Sequence, residues 1–258
     1  MARPVAVITG ASAGIGTELA RVFAAHGHEL VLVARREDRL QALADEIAAQ
    51  GRTRPVVLGL DLSQPGIGVR LGEALAAAGV EPQYMVNNAG FGLWGAAAKL
   101  SRDEQLAMVD LNVRTLVDLS VAFTDSLARH LGGILNVASV AAFLPGPYMA
   151  VYYASKAFVL SFSDALRAEL AGSGIRVTAL CPGPVPTEFQ ARAGGVPNAE
   201  RSGLLERTAQ QVALEGYRGL MAGKAAVIPG WANKIVTFFP RLIPRSFLAD
   251  RVARMQAR

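Results

Sequence analysis

The chain has 258 residues, 52% of them apolar, with a single cysteine and a formal net charge of +5. A length of this order buries roughly three quarters of the unfolded surface, so one α/β domain over 1–258 is expected, and the lone thiol, Cys181, rules out an intramolecular disulfide. MARPVAVITG lacks the apolar stretch and small-residue cleavage site of a secretory leader, and no run reaches the roughly 18 apolar residues of a membrane span, which sets a cytoplasmic location as the expectation.

The charge is unevenly placed. Residues 231–258 hold Lys234, Arg241, Arg245, Arg251, Arg254 and Arg258 against Asp250 alone, so the whole net charge sits there and the rest of the chain is neutral. A general basic face for nucleic acid is not supported, and no nucleic-acid motif appears.

In chain order, VAVIT (5–9) reads as a strand, followed by an alanine-rich helix to about His26. ELVLVA (29–34), the helix DRLQALADEIAAQ (38–50) and PVVLGLD (55–61) come next. Further on are YMVNNAG (84–90), a helix over about Asp103 to Leu131, ILNVAS (134–139), a helix carrying Tyr152, and IRVTALCPG (175–183). VAVIT and LVLVA do not alternate apolar with polar, which marks strands covered on both faces. Strand and helix in alternation, with right-handed crossovers, predict an α/β doubly wound parallel sheet of the Rossmann type with helices on both faces.

TGASAGIG (9–16) joins the first strand to the first helix. Gly10, Gly14 and Gly16, with Ser12 and Ile15 between them, let the backbone approach a pyrophosphate, whose charge meets free N–H groups at the helix start. A tight strand-to-helix turn also selects glycine, but its place directly after the first strand favours the cofactor reading. The spacing is G-x-x-x-G-x-G, not the usual G-x-G-x-x-G. At the end of the second strand a protein that binds NAD carries an acid for the ribose. Here Ala34, Arg35 and Arg36 stand instead, with no carboxylate to repel a 2′-phosphate and one or two guanidiniums to grip it; a solvated helix start, Arg36 followed by Glu37 and Asp38, is the competing account. NADP(H) is therefore the expected cofactor, with Arg35 the main contact and Arg36 a helper. Asp61 and Leu62, ending the third strand, are placed for the adenine.

VYYASKAF (151–158) sets Tyr152 and Lys156 four apart on one helical face, with Tyr153 close to that face. Spacing alone leaves open which tyrosine, if either, is chemical. Taken with TGASAGIG, NNAG (87–90), Asn112, Ser139, the Tyr152-x-x-x-Lys156 pair and PGPVPT (182–187), the chain resembles the short-chain dehydrogenase/reductase family from residue 5 to about 187, in family order. The resemblance implies an NADP-dependent oxidoreductase, a carbonyl reductase or alcohol dehydrogenase. Tyr152 is implied as acid/base and Ser139 as hydrogen-bond partner of the substrate oxygen. Lys156 is implied to bind the nicotinamide ribose, and Asn112 to hold a water of the proton relay. Asn88, Ala89 and Gly90 would border the cofactor, and Pro182, Gly183, Val185 and Thr187 would seat the nicotinamide. Tyr153 is left to packing or to the substrate side. A phenol has a reference pKa of about 10. Lys156 and an oxidised nicotinamide would favour phenolate, and a pull of about 3 units corresponds to roughly 4 kcal/mol. Two departures stand out: Ala13 occupies a place where some NADPH-preferring members carry a second basic residue, and Thr115 stands where glycine is expected.

On the substrate side, Phe91, Leu93, Trp94, Phe143 and Tyr148, with Leu144, Pro145 and Pro147, suggest a hydrophobic ketone or aldehyde; packing under the loops is the competing account. Residues 188–222 are expected to be a variable substrate lid, with hinge-like GGVPN (194–198), a helix near Thr208 to Met221, and a final strand AAVIP (225–229) after it. In the basic extension 231–258, Ile235, Phe238, Phe239 and Leu242 fall at helical spacings broken by Pro240 and Pro244. A segment covering the substrate mouth or an oligomer partner is favoured over one lying on an anionic membrane surface. The resemblance also implies a homo-dimer or homo-tetramer through the helices near 103–131 and 151–171. His26, His28 and His130 fit no metal-ligand spacing, and capping or dipole roles suffice. Two other functions compete with the reductase: a cofactor-binding sensor or scaffold without turnover, and a non-redox use of the cofactor. The full set of Asn112, Ser139, Tyr152 and Lys156 argues against the first.

Overall fold

Strand β1 (Arg3–Thr9) shows how the sheet forms: Ala6 and Ile8 point to one face, Val5 and Val7 to the other, and all four are buried. In the computed structural model, which describes residues 2–194, 203–242 and 245–256, the chain continues through α1 (Gly14–Ala25), β2 (Leu30–Ala34), α2 (Glu37–Ala49), β3 (Val56–Gly59), α3 (Ile67–Ala77) and β4 (Val80–Asn87). Next come α4 (Arg102–Val109), a π-helical segment Asp110–Thr115, α5 (Leu116–Ala122), α6 (Thr124–Arg129), β5 (Gly133–Val137), α7 (Ala150–Glu169) and β6 (Arg176–Leu180). The remaining elements are α8 (Glu188–Arg192), α9 (Ala209–Met221), β7 (Ala226–Val227), α10 (Trp231–Phe238) and α11 (Arg245–Gln256).

The strands form one parallel sheet in the order β3-β2-β1-β4-β5-β6-β7. One face is sealed by α1, α2 and α9, where Phe23, Leu19, Leu40, Val212 and Leu220 pack on Ile8, Leu32 and Val86. The other is sealed from α3, α5, α6 and α7, where Leu71, Leu75, Leu119, Leu127 and Leu166 pack on Val7, Val31 and Met85. The chain order reverses between β1 and β4. Adjacent loops there leave in opposite directions and open a crevice at the carboxyl ends of the strands. The glycine turn follows β1 and NNAG ends β4, so both border that crevice.

Three expectations change in detail. The helix expected over 103–131 is interrupted by the π segment and again at Phe123 (φ −115, ψ 13). The π turn coincides with buried Asn112 and Thr115; the Thr115 hydroxyl, at the site where glycine was expected, donates to the Leu62 carbonyl at 2.6 Å. The last strand shrinks to Ala226–Val227 at the sheet edge, just before Pro229, which offers no N–H. A short helix, α8, also appears where no periodicity was read, closed by a capping box between Thr187 and Gln190. Of the hinge-like GGVPN, residues 195–198 lie outside the described residues.

Candidate active site

The floor of the crevice is built from buried side chains tied to main chain. Ser139 follows β5, accepts a hydrogen bond from the Ala141 amide at 3.1 Å, and donates weakly to the Pro182 carbonyl at 3.5 Å. Tyr152 and Lys156 lie one turn apart on α7, whose approach is set by Tyr148, a non-glycine residue in left-handed backbone (φ 62). Lys156 is 5% exposed, and its Nζ donates to the Val137 carbonyl at 2.8 Å while lying 5.8 Å from the centre of the Tyr152 ring. Burial holds its ammonium down at about 8, against a smaller opposing pull from Cys181. The Tyr152 hydroxyl is pushed up to about 12, chiefly by burial; its hydrogen bond with Ser139 works in the opposite direction. The downward pull expected from Lys156 is therefore not what the cleft alone produces: desolvation dominates, and the phenol stays protonated.

Asn112 is equally fixed. Its Oδ1 accepts from the Phe91 amide at 3.1 Å, and its Nδ2 donates to the Phe91 carbonyl at 2.9 Å and to Ser155 Oγ at 3.1 Å. These bonds join the loop after β4 to α7 through the Asn112 side chain.

At the other end of the crevice, the Thr9 hydroxyl accepts from the amides of Asn88 and Ala89, and Asn88 Nδ2 returns a bond to the Thr9 carbonyl at 2.9 Å. Two glycines are required by this contact. A Cβ on Gly10 (φ 66) would come within 2.8 Å of Asn88 Nδ2, and one on Gly16 would lie 2.2 Å from the Gly10 carbonyl oxygen. Gly14 (φ 56) rests against Thr187, so the glycine turn also touches the PGPVPT loop. Beyond the turn, Arg35 is exposed with no hydrogen-bond or ion-pair partner among the described residues, whereas Arg36 reaches Ser12 Oγ at 3.2 Å. The Asp61 carboxylate accepts from the Ser63 amide and hydroxyl at 3.0 and 2.8 Å.

One cavity of 1040 Å³ joins the two ends. It brings together Gly10, Ser12, Ile15, Arg35, Arg36, Asp61, Leu62, Asn88, Ala89 and Gly90 with Ser139, Tyr152, Lys156, Pro182, Gly183, Val185 and Thr187. Gly14, Gly16 and Asn112 support its wall from behind. On the substrate side only part of the expectation survives. Phe91 and Leu93 line the cavity, but Trp94 and Tyr148 stack on each other (6.1 Å, 21°) and Phe143 packs on the cluster around Leu116 and Val159; none of these three is in the wall. Leu144, also expected there, lines the cavity, and Met149 and Phe189 join it, with Phe189 tilted against the Tyr152 ring at 5.2 Å. Tyr153 also lines the cavity, its ring lying over Gly146.

The residues missed by sequence reading come mostly from α8. Arg192 sits with its guanidinium 4.4 Å from the Phe91 ring centre, and desolvation, then Arg35 and Arg36, press down on its pKa. The Thr187-x-x-Gln190 capping box was the available signal for this helix. In the basic extension, α10 buries Ala232, Asn233 and Thr237 toward the loops behind Ser139; Asn233 lies against Gly183 and donates to the Leu205 and Pro229 carbonyls. Trp231, Ile235, Phe238, Phe239 and Phe247 remain exposed. No helix among the described residues is long and apolar enough to cross a membrane.

A family model described as short chain dehydrogenase matches residues 4–195. The chain belongs to the short chain dehydrogenase family. A sulfoacetaldehyde reductase of Chromohalobacter salexigens is 41% identical over 192 residues, covering 73% of this chain and 75% of the relative. Among solved structures, a short-chain dehydrogenase of Sphingobium yanoikuyae in complex with NADPH superposes with a TM-score of 0.79 at 33% identity, over 88% of this chain and 87% of that one. A 7β-hydroxysteroid dehydrogenase reaches 0.85 at 26% identity, over 97% and 96% of the two chains. This short chain dehydrogenase is accordingly an oxidoreductase of a family that uses a nicotinamide cofactor and acts on small molecules. The cradle left by Gly10 and Gly16, together with the unpaired Arg35, fits such a cofactor.

Proposed function

We propose that this dehydrogenase is an NADPH-dependent carbonyl reductase, running in reverse as an alcohol dehydrogenase, with Tyr152 as its acid/base. The observation that carries this reading is the single cleft that gathers Ser139, Tyr152 and Lys156 at one end and the exposed Arg35 guanidinium at the other. The cofactor, when bound, supplies or accepts the hydride. Ser12, Arg35 and Arg36 hold its phosphates, Asp61 and Leu62 its adenine, and Pro182, Gly183, Val185 and Thr187 its nicotinamide end. The NADPH complex of the Sphingobium relative supports this choice of cofactor.

In the reduction direction Tyr152 Oη donates its proton to the carbonyl oxygen. The Ser139 hydroxyl binds the same oxygen, where negative charge develops. Lys156, anchored on Val137, supplies the nearby positive charge that makes the resulting phenolate tolerable. The wall of Leu93, Leu144, Met149 and Phe189 supports a hydrophobic ketone or aldehyde as substrate. Exposed Leu106, Val109 and Val121 on α4 and α5, with Phe158 on α7, support self-association into a dimer or tetramer.

NADPH oxidation should be followed against carbonyls graded from small and polar to long and apolar, with Tyr152→Phe as control. Turnover that rises with apolar size and vanishes in the variant is the expected result. Tight NADPH binding without turnover across the whole panel would return the weight to a sensor.

A further inference from the structure

Glu188, the first residue of α8, reaches back from the lid to the start of α2. One of its carboxylate oxygens accepts from Arg36 Nη1 at 2.7 Å and the other from Arg39 Nη1. Arg36 simultaneously holds Ser12 through Nε and Nη2 at 3.3 and 3.2 Å. A chain of contacts, Ser12 to Arg36 to Glu188 to Arg39, therefore links the glycine turn, the end of β2 and the lid at the rim where the phosphate-binding arginines stand. The carboxylate of Glu188 takes Arg36 Nη1, a donor that a phosphate oxygen would use in its place, because both anions accept charge-assisted bonds from a guanidinium N–H.

The three side chains are between 41% and 54% exposed, so the two ion pairs are screened and individually weak. A phosphate monoester carries about −1.5 to −2 charges near neutrality and three acceptor oxygens. It would displace a single carboxylate from Arg36, while a ribose hydroxyl would not.

We infer that Glu188 is a built-in competitor for the 2′-phosphate of the cofactor, a specificity-determining residue that holds Arg36 in the empty enzyme and gives it up when NADPH enters. This rests on the NADPH reading above. Arg35, which makes no hydrogen bond or ion pair among the described residues, is the primary contact; Arg36 is a second cation whose release frees the front of the lid. NADH leaves the latch fastened, so Glu188 lowers the affinity for NADPH alone and moderates the preference that Arg35 sets.

The test compares dissociation constants for NADPH and NADH in the wild type, Glu188→Gln, Arg36→Ala and the double variant. Adenosine 2′,5′-bisphosphate and AMP serve as fragments that report on the 2′-phosphate alone. Glu188→Gln should tighten NADPH and the bisphosphate about two- to fivefold, the scale of exposed ion pairs, leave NADH and AMP unchanged, and lose this gain when Arg36 is absent. Unchanged NADPH affinity, an equal change for both cofactors, or weaker NADPH binding would each overturn the inference, the last by showing that Glu188 fastens the lid over bound cofactor. Failure of the NADPH reading is seen separately, as a wild type that binds NADH equally well and an Arg35→Ala variant that alters neither. An intact NADPH preference with an inert Glu188→Gln sinks the latch alone.

Discussion

The floor and the rim of the cleft are held by different means. On the floor, Lys156, Asn112 and Ser139 are 5%, 1% and 9% exposed and are each fixed by main-chain groups: the Val137 carbonyl, both backbone groups of Phe91, and the Ala141 amide. On the rim, Glu188 holds Arg36 and Arg39 through half-exposed ion pairs, and Arg35 makes no hydrogen bond or ion pair among the described residues. Backbone contacts in a water-poor site cannot rearrange without disturbing the sheet, whereas screened ion pairs exchange partners readily. The floor is thus preorganised for a proton transfer, and the rim is adjustable for recognising a charged ligand. Substitutions on the floor should change rate, and substitutions on the rim should change affinity.

The largest expected effect tests the floor. Tyr152→Phe removes the phenol hydroxyl beside Ser139, and kcat should fall by about 10²- to 10⁴-fold, the usual range for a positioned acid. Because the ring still packs on Phe189, the dissociation constant for NADPH should scarcely move. A variant that lost affinity in step with rate would show that floor and rim are not separable. Next in size is Arg35→Ala, which removes a charge-assisted contact worth about 1.5 to 3 kcal/mol. NADPH should weaken by about ten- to a hundredfold and NADH should be spared, with kcat at saturating cofactor unchanged.

A pH profile sharpens the contrast without mutation. The kcat/KM of the free enzyme reports groups on the floor. With Tyr152 pushed up to about 12, the acid needed for reduction persists through neutral pH, so reduction should stay level there. It should decline once pH passes about 8, where Lys156 gives up its charge. Alcohol oxidation, which needs Tyr152 as a base, should instead climb as pH rises. A reduction rate that falls steadily from about pH 6 would contradict the assignment of the acid.

Most of the floor was legible in the sequence because each of its parts answers a local demand: glycine where a Cβ would strike Asn88 or a carbonyl, β-branched residues in strands covered on both faces, and Ser139, Tyr152 and Lys156 in family order. The rim was legible only in half. Ala34, Arg35 and Arg36 can be read at the end of β2, but Glu188 pairs with Arg36 across 152 residues, and no periodicity announces such a contact. The π turn at Asn112 was hidden for a related reason, since it is accompanied by tertiary bonds to Phe91 and Leu62 and not by helix propensity. Trp94 and Tyr148 misled because an aromatic near a site satisfies its surface as well by stacking on another aromatic as by lining the cavity.

The smallest expected effect falls on the neighbour of the catalytic tyrosine. Tyr153 occupies the same helical turn, lines the same cavity, and meets the Tyr152 ring edge-on at 6.1 Å, so proximity alone does not separate the two residues. Their backing does. The Tyr152 hydroxyl faces Ser139 with Lys156 nearby, whereas the Tyr153 ring lies over Gly146, where any Cβ would collide with it. Tyr153→Phe keeps that ring and its packing and removes one hydroxyl. Its kcat should stay within about tenfold of wild type, the span of one ordinary hydrogen bond, and its pH profile should be unchanged. A loss comparable to that of Tyr152→Phe would mean that the proton leaves through Tyr153, and the floor would have to be redrawn around the second phenol.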